Sequence, residues 1–140
     1  MLKNINQKDE RLLKAIQEYG CLFLCFAESS PLTFEGESGC MLLNMLWEKA
    51  VDEGYIINNT IVGHTDIAHL LRLNVHFDNQ HHSAEDKIPE NVSFVFGMFV
   101  WKYSHFVVLD KNKKVTFDPL VNSNTVKNGV LKSMRFYYAD

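Results

Sequence analysis

The spacing of apolar residues changes character near Asn91. Before it, apolar side chains recur at helical intervals; after it they come in short runs rich in Val, Phe, Tyr and Thr. Gln7 to Tyr19 carries Leu12, Leu13 and Ile16 on one stripe among charges, and Gly20 is placed to close that helix in the left-handed conformation. Cys21 to Glu28 is apolar all round. That pattern fits a helix buried at the centre of a domain and equally, by periodicity alone, a buried strand; Ser29-Ser30-Pro31 ends it in either case. Pro31 to Gly39 reads as a loop. Cys40 to Glu53 is the best helix in the chain, with Leu43, Leu46, Trp47, Ala50 and Val51 on its stripe and Gly54 to stop it. Thr65 or Asp66 caps a shorter helix running to Leu73, and a polar loop, Asp78 to Asn91, follows.

The second half predicts strands over Val92 to Val100, Tyr103 to Asp110, Lys114 to Asp118 and Val130 to Tyr138. Lys111 to Lys114 and Asn122 to Asn124 supply turn chemistry between them. Helices first and antiparallel strands second is an α+β arrangement, with N-terminal helices packed on a C-terminal antiparallel sheet of about four to six strands.

Composition narrows the function classes. The chain has 140 residues, 46% hydrophobic and 22% charged, which is globular and the size of a single domain spanning 1–140. A net charge of −3 without a basic cluster argues against a nucleic-acid partner. Three cysteines (Cys21, Cys25, Cys40) are too few and odd in number for a disulfide framework, and their apolar contexts suit a reducing compartment. With no apolar signal core and no run of roughly 20 apolar residues, the expectation is a cytoplasmic protein without a membrane partner.

Within that frame one constellation carries chemistry. Cys21 opens the apolar run, His105 stands at the head of one predicted strand, and Asp118 ends the next. A thiolate is the attacking species in thiol chemistry, and a helix N-terminus with a neighbouring imidazolium favours it. An aspartate behind the histidine fixes its tautomer and orientation. A two-residue turn at Asn112-Lys113 pairs Lys111 with Lys114, sets His105 opposite Leu120 and leaves Asp118 diagonally adjacent on the same face. Diagonal neighbours lie about 7–8 Å apart, within reach of a carboxylate and an imidazole. A one-residue slip puts Asp118 on the opposite face, so a three-residue turn or a bulge counts against the pairing.

These pieces, Gln17-Glu-Tyr-Gly-Cys21, Ser104-His105-Phe-Val-Val-Leu-Asp110 and Val115-Thr-Phe-Asp118-Pro119, resemble the papain-like cysteine peptidases. The similarity is to the branch around the bacteriocin-processing C39 peptidases and to small phage, bacterial and spirochaetal proteins. The resemblance implies a papain-like fold, Cys21 as nucleophile, His105 as general base, Asp118 as orienter, Gln17 as oxyanion donor, no cofactor, and a peptide or protein substrate. The expected function is a cysteine peptidase, isopeptidase or amidase. Two departures from the family, Gln17 only four residues before Cys21 and the bulky Leu22-Phe23-Leu24, motivate an alternative: a protein-binding inhibitor or phage-type anti-defence protein. That alternative would use the loops Pro31 to Gly39 and Asp78 to Asn91. Cys40 at a helix start is a rival nucleophile, in an arrangement that resembles transglutaminase-like acyl transfer. Cys25, one turn after Cys21, reads as core. His64, Asp66 and His69 do not share the face that a helical metal pair needs, so they read as helix residues rather than a metal site.

Overall fold

A computed structural model describes Met1–Asp140 as an α+β fold. In chain order the elements are β1 (Leu2–Lys3), α1 (Lys14–Tyr19), α2 (Cys21–Ser29), β2 (Phe34–Glu35), α3 (Gly36–Asp52), β3 (Ile56–Ile57), β4 (Thr60–Ile61) and α4 (His64–Leu70). There follow β5 (Val75–Phe77), β6 (His82–Ser83), β7 (Val92–Val100), β8 (Ser104–Leu109), β9 (Val115–Phe117), α5 (Asn124–Asn128) and β10 (Val130–Ala139). Six strands form one sheet in the order β5-β10-β7-β8-β9, with β6 also on β10, and all its pairings are antiparallel. No helix is long and apolar enough to cross a membrane.

The all-apolar segment is a helix. Leu22, Phe23, Leu24, Cys25, Phe26 and Ala27 are all buried, so α2 is wrapped on every side. Phe26 meets Phe96 of β7 and Tyr137 of β10 edge-on, with ring centroids 5.0 and 5.2 Å apart, while Phe23 turns to Trp47 of α3 at 5.3 Å. The sheet's other face has its own smaller core of Val95, Val107, Leu109, Met134 and Phe136, against which Val126 of α5 packs. Strand β8 therefore alternates between two apolar environments: Phe106 and Val108 belong to the α2 side, Val107 and Leu109 to the other.

Several boundaries differ from expectation for local reasons. Helix α1 starts at Lys14, not Gln7, because Asn6 and Asp9 accept hydrogen bonds from the backbone N–H of Lys8 and Arg11 and offer the chain turns in place of a helix. Helix α3 starts at Gly36, so the loop ending at Gly39 is partly helical and Cys40 lies a full turn inside. Poor helix formers conceal that start, but a Cβ on Gly39 would sit 2.7 Å from the Phe34 backbone, so close packing demands the glycine. Helix α4 ends at Leu70 rather than Leu73, with Arg72 at φ 61°. Its N-cap is Gly63 and no side chain caps it, so neither Thr65 nor Asp66 plays that part. The loop from Asp78 contains β6, and β5 and the β3–β4 hairpin are additional, the hairpin turning through Asn58 and Asn59 at φ 50° and 63°.

Gly20 is the most consequential correction. Its φ of −90° is not left-handed, and the chain passes from α1 to α2 almost without a break: Gly20 donates to Ile16 and Leu24 donates to Gly20. Glycine is required for space. A Cβ there would lie 2.5 Å from the Ile16 carbonyl oxygen and 2.7 Å from its Cγ2. Replacing Gly20 by alanine is expected to destabilise the fold by about 1–3 kcal/mol, the usual cost of overpacking, and to shift the start of α2. Denaturant unfolding measures the loss; a variant as stable as the parent would show that the α1–α2 corner yields easily.

Candidate active site

The chain between His105 and Asp118 contains two irregularities that cancel. The turn from Asp110 to Lys114 encloses three residues, with Lys113 at φ 63° and Asp110 capping the N–H groups of Asn112 and Lys114. Leu109 consequently pairs with Val115, one residue out of the two-residue-turn register. A bulge at Thr116 then restores it, and Val108 pairs with Phe117. Had the register of the turn continued unbroken, Asp118 would stand opposite Phe106 on the wrong face. Instead the His105 Nε2–H donates to Asp118 Oδ1 at 2.7 Å.

The carboxylate is held from three directions. Besides His105 it accepts from the backbone N–H of Leu120 at 2.9 Å and of Ser123 at 2.9 Å. Val121 lies inside that loop at φ 56°, a strained value for a β-branched residue, so the loop is fixed by its hydrogen bonds and not by local preference. Pro119 adds an anchor, its carbonyl accepting from the Gln7 backbone N–H at 2.8 Å.

The Cys21 sulfur is near enough to His105 to favour its charged form. With Nε2 committed to Asp118, Nδ1 is the nitrogen left for the sulfur. His105 is only 4% exposed, and burial alone would disfavour its charged form. Asp118 and the Cys21 sulfur outweigh burial and raise the imidazole to about 9. Burial likewise pushes Asp118 up, but His105 and the N–H groups of Ser123 and Leu120 hold it well below the usual carboxylate range.

Cys21 is half-buried and opens onto a cleft of about 390 Å³, whose walls include His64, Ser104, Phe106 and Arg135. Of the three residues, Cys21 lines this cleft and His105 and Asp118 do not. The other two cysteines are shut away. Cys25 and Cys40 are fully buried, and burial raises both thiols. The polar neighbours of Cys40 are Asp9 and Arg11, not the histidine–aspartate pair, so the acyl-transfer reading through Cys40 does not hold.

Gln17 is also misplaced for its expected part. Its side-chain amide donates to the Leu12 carbonyl at 2.7 Å and does not line the cleft. Helix geometry explains this: in a continuous α1–α2 turn, a residue four before Cys21 is committed to α1. Phe23 and Leu24 point into the core, and only Leu22 joins the cleft wall, so this bulky trio does not fill the cleft.

The match to a family model described as "Protein of unknown function, DUF261" covers residues 1–139. The chain belongs to the DUF261 family. No curated protein and no solved structure matches it.

Two residues of this DUF261 chain escaped the sequence reading. Buried Gln7 donates its side-chain amide to the carbonyls of Ile16 and Gln17 at 3.3 and 3.2 Å, bracing the α1–α2 corner while its backbone holds Pro119. Arg135 is 5% exposed and lines the cleft, a rare fate for arginine. Four of the other five histidines are engaged away from this pair: His64 Nδ1 shares a hydrogen bond with the Tyr137 hydroxyl, His69 and His76 both meet Asp140, and His82 meets Asp78.

The pair has a definite pH signature. His105 is raised above its ordinary 6.5, so its charge stabilises the fold fully below that pH, and the contribution is lost as pH rises through about 9. Asp118 is depressed below 3.8, so its contribution is present above that pH and is lost on acidification. Unfolding free energy is expected to fall between pH 7 and pH 9, and the His105 ring resonances to titrate near the upper end. Asp118→Asn is expected to lower that midpoint and flatten the alkaline loss; an unchanged NMR titration in the variant would dissociate the two groups.

Proposed function

We propose that the protein is a cysteine hydrolase of peptide or isopeptide bonds, with Cys21 as nucleophile, His105 as general base and acid, and Asp118 as the orienting carboxylate. The observation that carries this reading is a single one: the only partly accessible thiol of the chain lies against an imidazole whose far nitrogen is locked on a buried carboxylate. A helix-led cysteine laid on an antiparallel sheet, with histidine and aspartate on neighbouring strands, also supports a papain-like arrangement.

In the proposed reaction the thiol proton resides on His105 Nδ1, completing the imidazolium, and Cys21 Sγ attacks the carbonyl carbon as the thiolate. The carbonyl oxygen becomes an oxyanion facing the first-turn N–H groups of α2, where fixed donors stabilise developing charge without reorganising. Collapse breaks the C–N bond, and the imidazolium gives its proton to the departing amine. A thioester remains on Cys21. Water, deprotonated by His105, then attacks the thioester, releasing the acid and returning the proton to sulfur. Asp118 stays ionised throughout and holds the ring in the productive tautomer.

Cys21→Ala is expected to abolish hydrolysis while leaving the fold intact, and His105→Ala to reduce it by about 10²- to 10⁴-fold, the range of general acid–base catalysis. A peptide mixture analysed by mass spectrometry after incubation reads both. Iodoacetamide is expected to modify Cys21 well ahead of Cys25 and Cys40, and faster than an ordinary peptide thiol. Retained cleavage in Cys21→Ala, or an ordinary alkylation rate at Cys21, would remove the hydrolase reading.

A further inference from the structure

Arg135 stands on β10 opposite Phe96 and faces α2, on the same side of the sheet as Met98 and Phe106. The residue is only 5% exposed, yet no carboxylate lies within ion-pair distance of its guanidinium. Its recorded hydrogen bonds all leave from Nη1, to the Ser133 hydroxyl at 2.9 Å and the Met134 carbonyl at 3.4 Å. Nε and Nη2 have no protein acceptor, and neither is sealed from the cleft. The Phe106 ring flanks the guanidinium, its centroid 5.3 Å from Cζ, leaving the donor edge in one plane.

Such a group is costly to maintain. A buried cation is ordinarily paired, and an arginine fork left open on two donors matches the two oxygens of a carboxylate. The surroundings add no counter-charge on that wall. The other titratable groups of the cleft are Glu18, Tyr19, Cys21, His64 and His81; burial disfavours protonation of the two histidines, and the nearby positive charge of Arg135 acts in the same direction. Glu18 is the single acidic residue among the cleft's walls; it is exposed on α1 and makes no ion pair with Arg135.

We propose that Arg135 is a specificity-determining residue that receives a carboxylate of the substrate, so that the cleft selects a peptide bearing either an acidic side chain or a free C-terminal carboxylate close to the bond attacked by Cys21. This rests on the hydrolase reading for its substrate class, but the carboxylate site itself is present whether or not Cys21 turns over. Binding a carboxylate completes the two idle donors and supplies the counter-ion that the fold omits. A neutral segment would leave the guanidinium buried and unpaired, which is the larger penalty.

The test uses two alkylating reagents of similar size and opposite demand. Iodoacetate carries a carboxylate and iodoacetamide does not. At Cys21, located by mass spectrometry, the ratio of their rates is expected to exceed the same ratio for glutathione by about tenfold, the factor that 1.4 kcal/mol of charge-assisted hydrogen bonding supplies. Arg135→Gln is expected to bring the ratio down to that of glutathione, and Arg135→Lys, which keeps the charge without the fork, to leave it between. A glutathione-like ratio in the wild-type protein overturns the proposal.

A second measurement is independent of thiol reactivity and of whether the variants fold. The Arg135 Nε–H resonance of the wild-type protein is followed by NMR during titration with the α-amide of N-acetyl-aspartic acid, which offers only the side-chain carboxylate, and with N-acetyl-glycine, which offers only the terminal one. A saturable shift with the first assigns the acidic side chain, and with the second the chain terminus. No shift with either overturns the carboxylate site. Slow alkylation of Cys21 by both reagents, with the resonance still responding, would sink the hydrolase and leave the site standing.

Discussion

The Asp118 carboxylate is the point on which the candidate site hangs. It ties a side chain from β8 to the loop that follows β9, using one oxygen for His105 and Leu120 and the other for Ser123. Those bonds hold a strained Val121 in place, lead into the Ser123 cap of α5, and set Pro119 where Gln7 can grip it. The N-terminal arm that ends in Gln7 in turn braces the corner from which α2 departs. A local ion pair thus fixes both ends of the geometry: the orientation of the imidazole and the approach of the helix that delivers the sulfur. Burial of these groups is tolerable because each polar atom of the pair is matched.

Much of the fold was legible because its longest elements speak in strong local signals. Val92–Val100 is recovered with its bounds, since nine residues rich in Val and Phe can satisfy only a buried strand. The wholly apolar Cys21 segment could be either element from sequence. What decides for helix is long-range: α3 on one side and the sheet on the other bury every face at once. The short strands β1, β2 and β5 exist through pairing with distant residues, as Leu2 does with Phe34, and carry no periodicity of their own. Asn58-Asn59 was a readable turn signal, but with two-residue arms there was little strand to notice.

The site was legible unevenly for the same reason. His105 and Asp118 could be related through strand alternation, a local rule, although the sequence concealed that a three-residue turn and a bulge offset one another. The oxyanion role of Gln17 came from the family resemblance alone, against a spacing to Cys21 that departs from that family, and the helical continuation through Gly20 commits its amide to Leu12. Arg135 had no sequence signal at all. Within Val-Leu-Lys-Ser-Met-Arg-Phe-Tyr-Tyr it looks like one more polar position on an alternating strand. Its burial depends on tertiary neighbours such as Phe106 of β8, which no local pattern encodes.

The Thr116 bulge has a consequence for how this chain can change length. A strand alternates faces with every residue, so what matters between His105 and Asp118 is parity and not distance. The turn at Lys111–Lys113 contributes an odd residue, and the bulge contributes the one that cancels it. A change of length that enters the strand pairing therefore keeps the two groups on one face only if it comes in pairs or with the gain or loss of a bulge. A single inserted residue passed into the β9 register would exchange the carboxylate for its neighbour on the other side of the sheet and turn Phe117 away from the core with it.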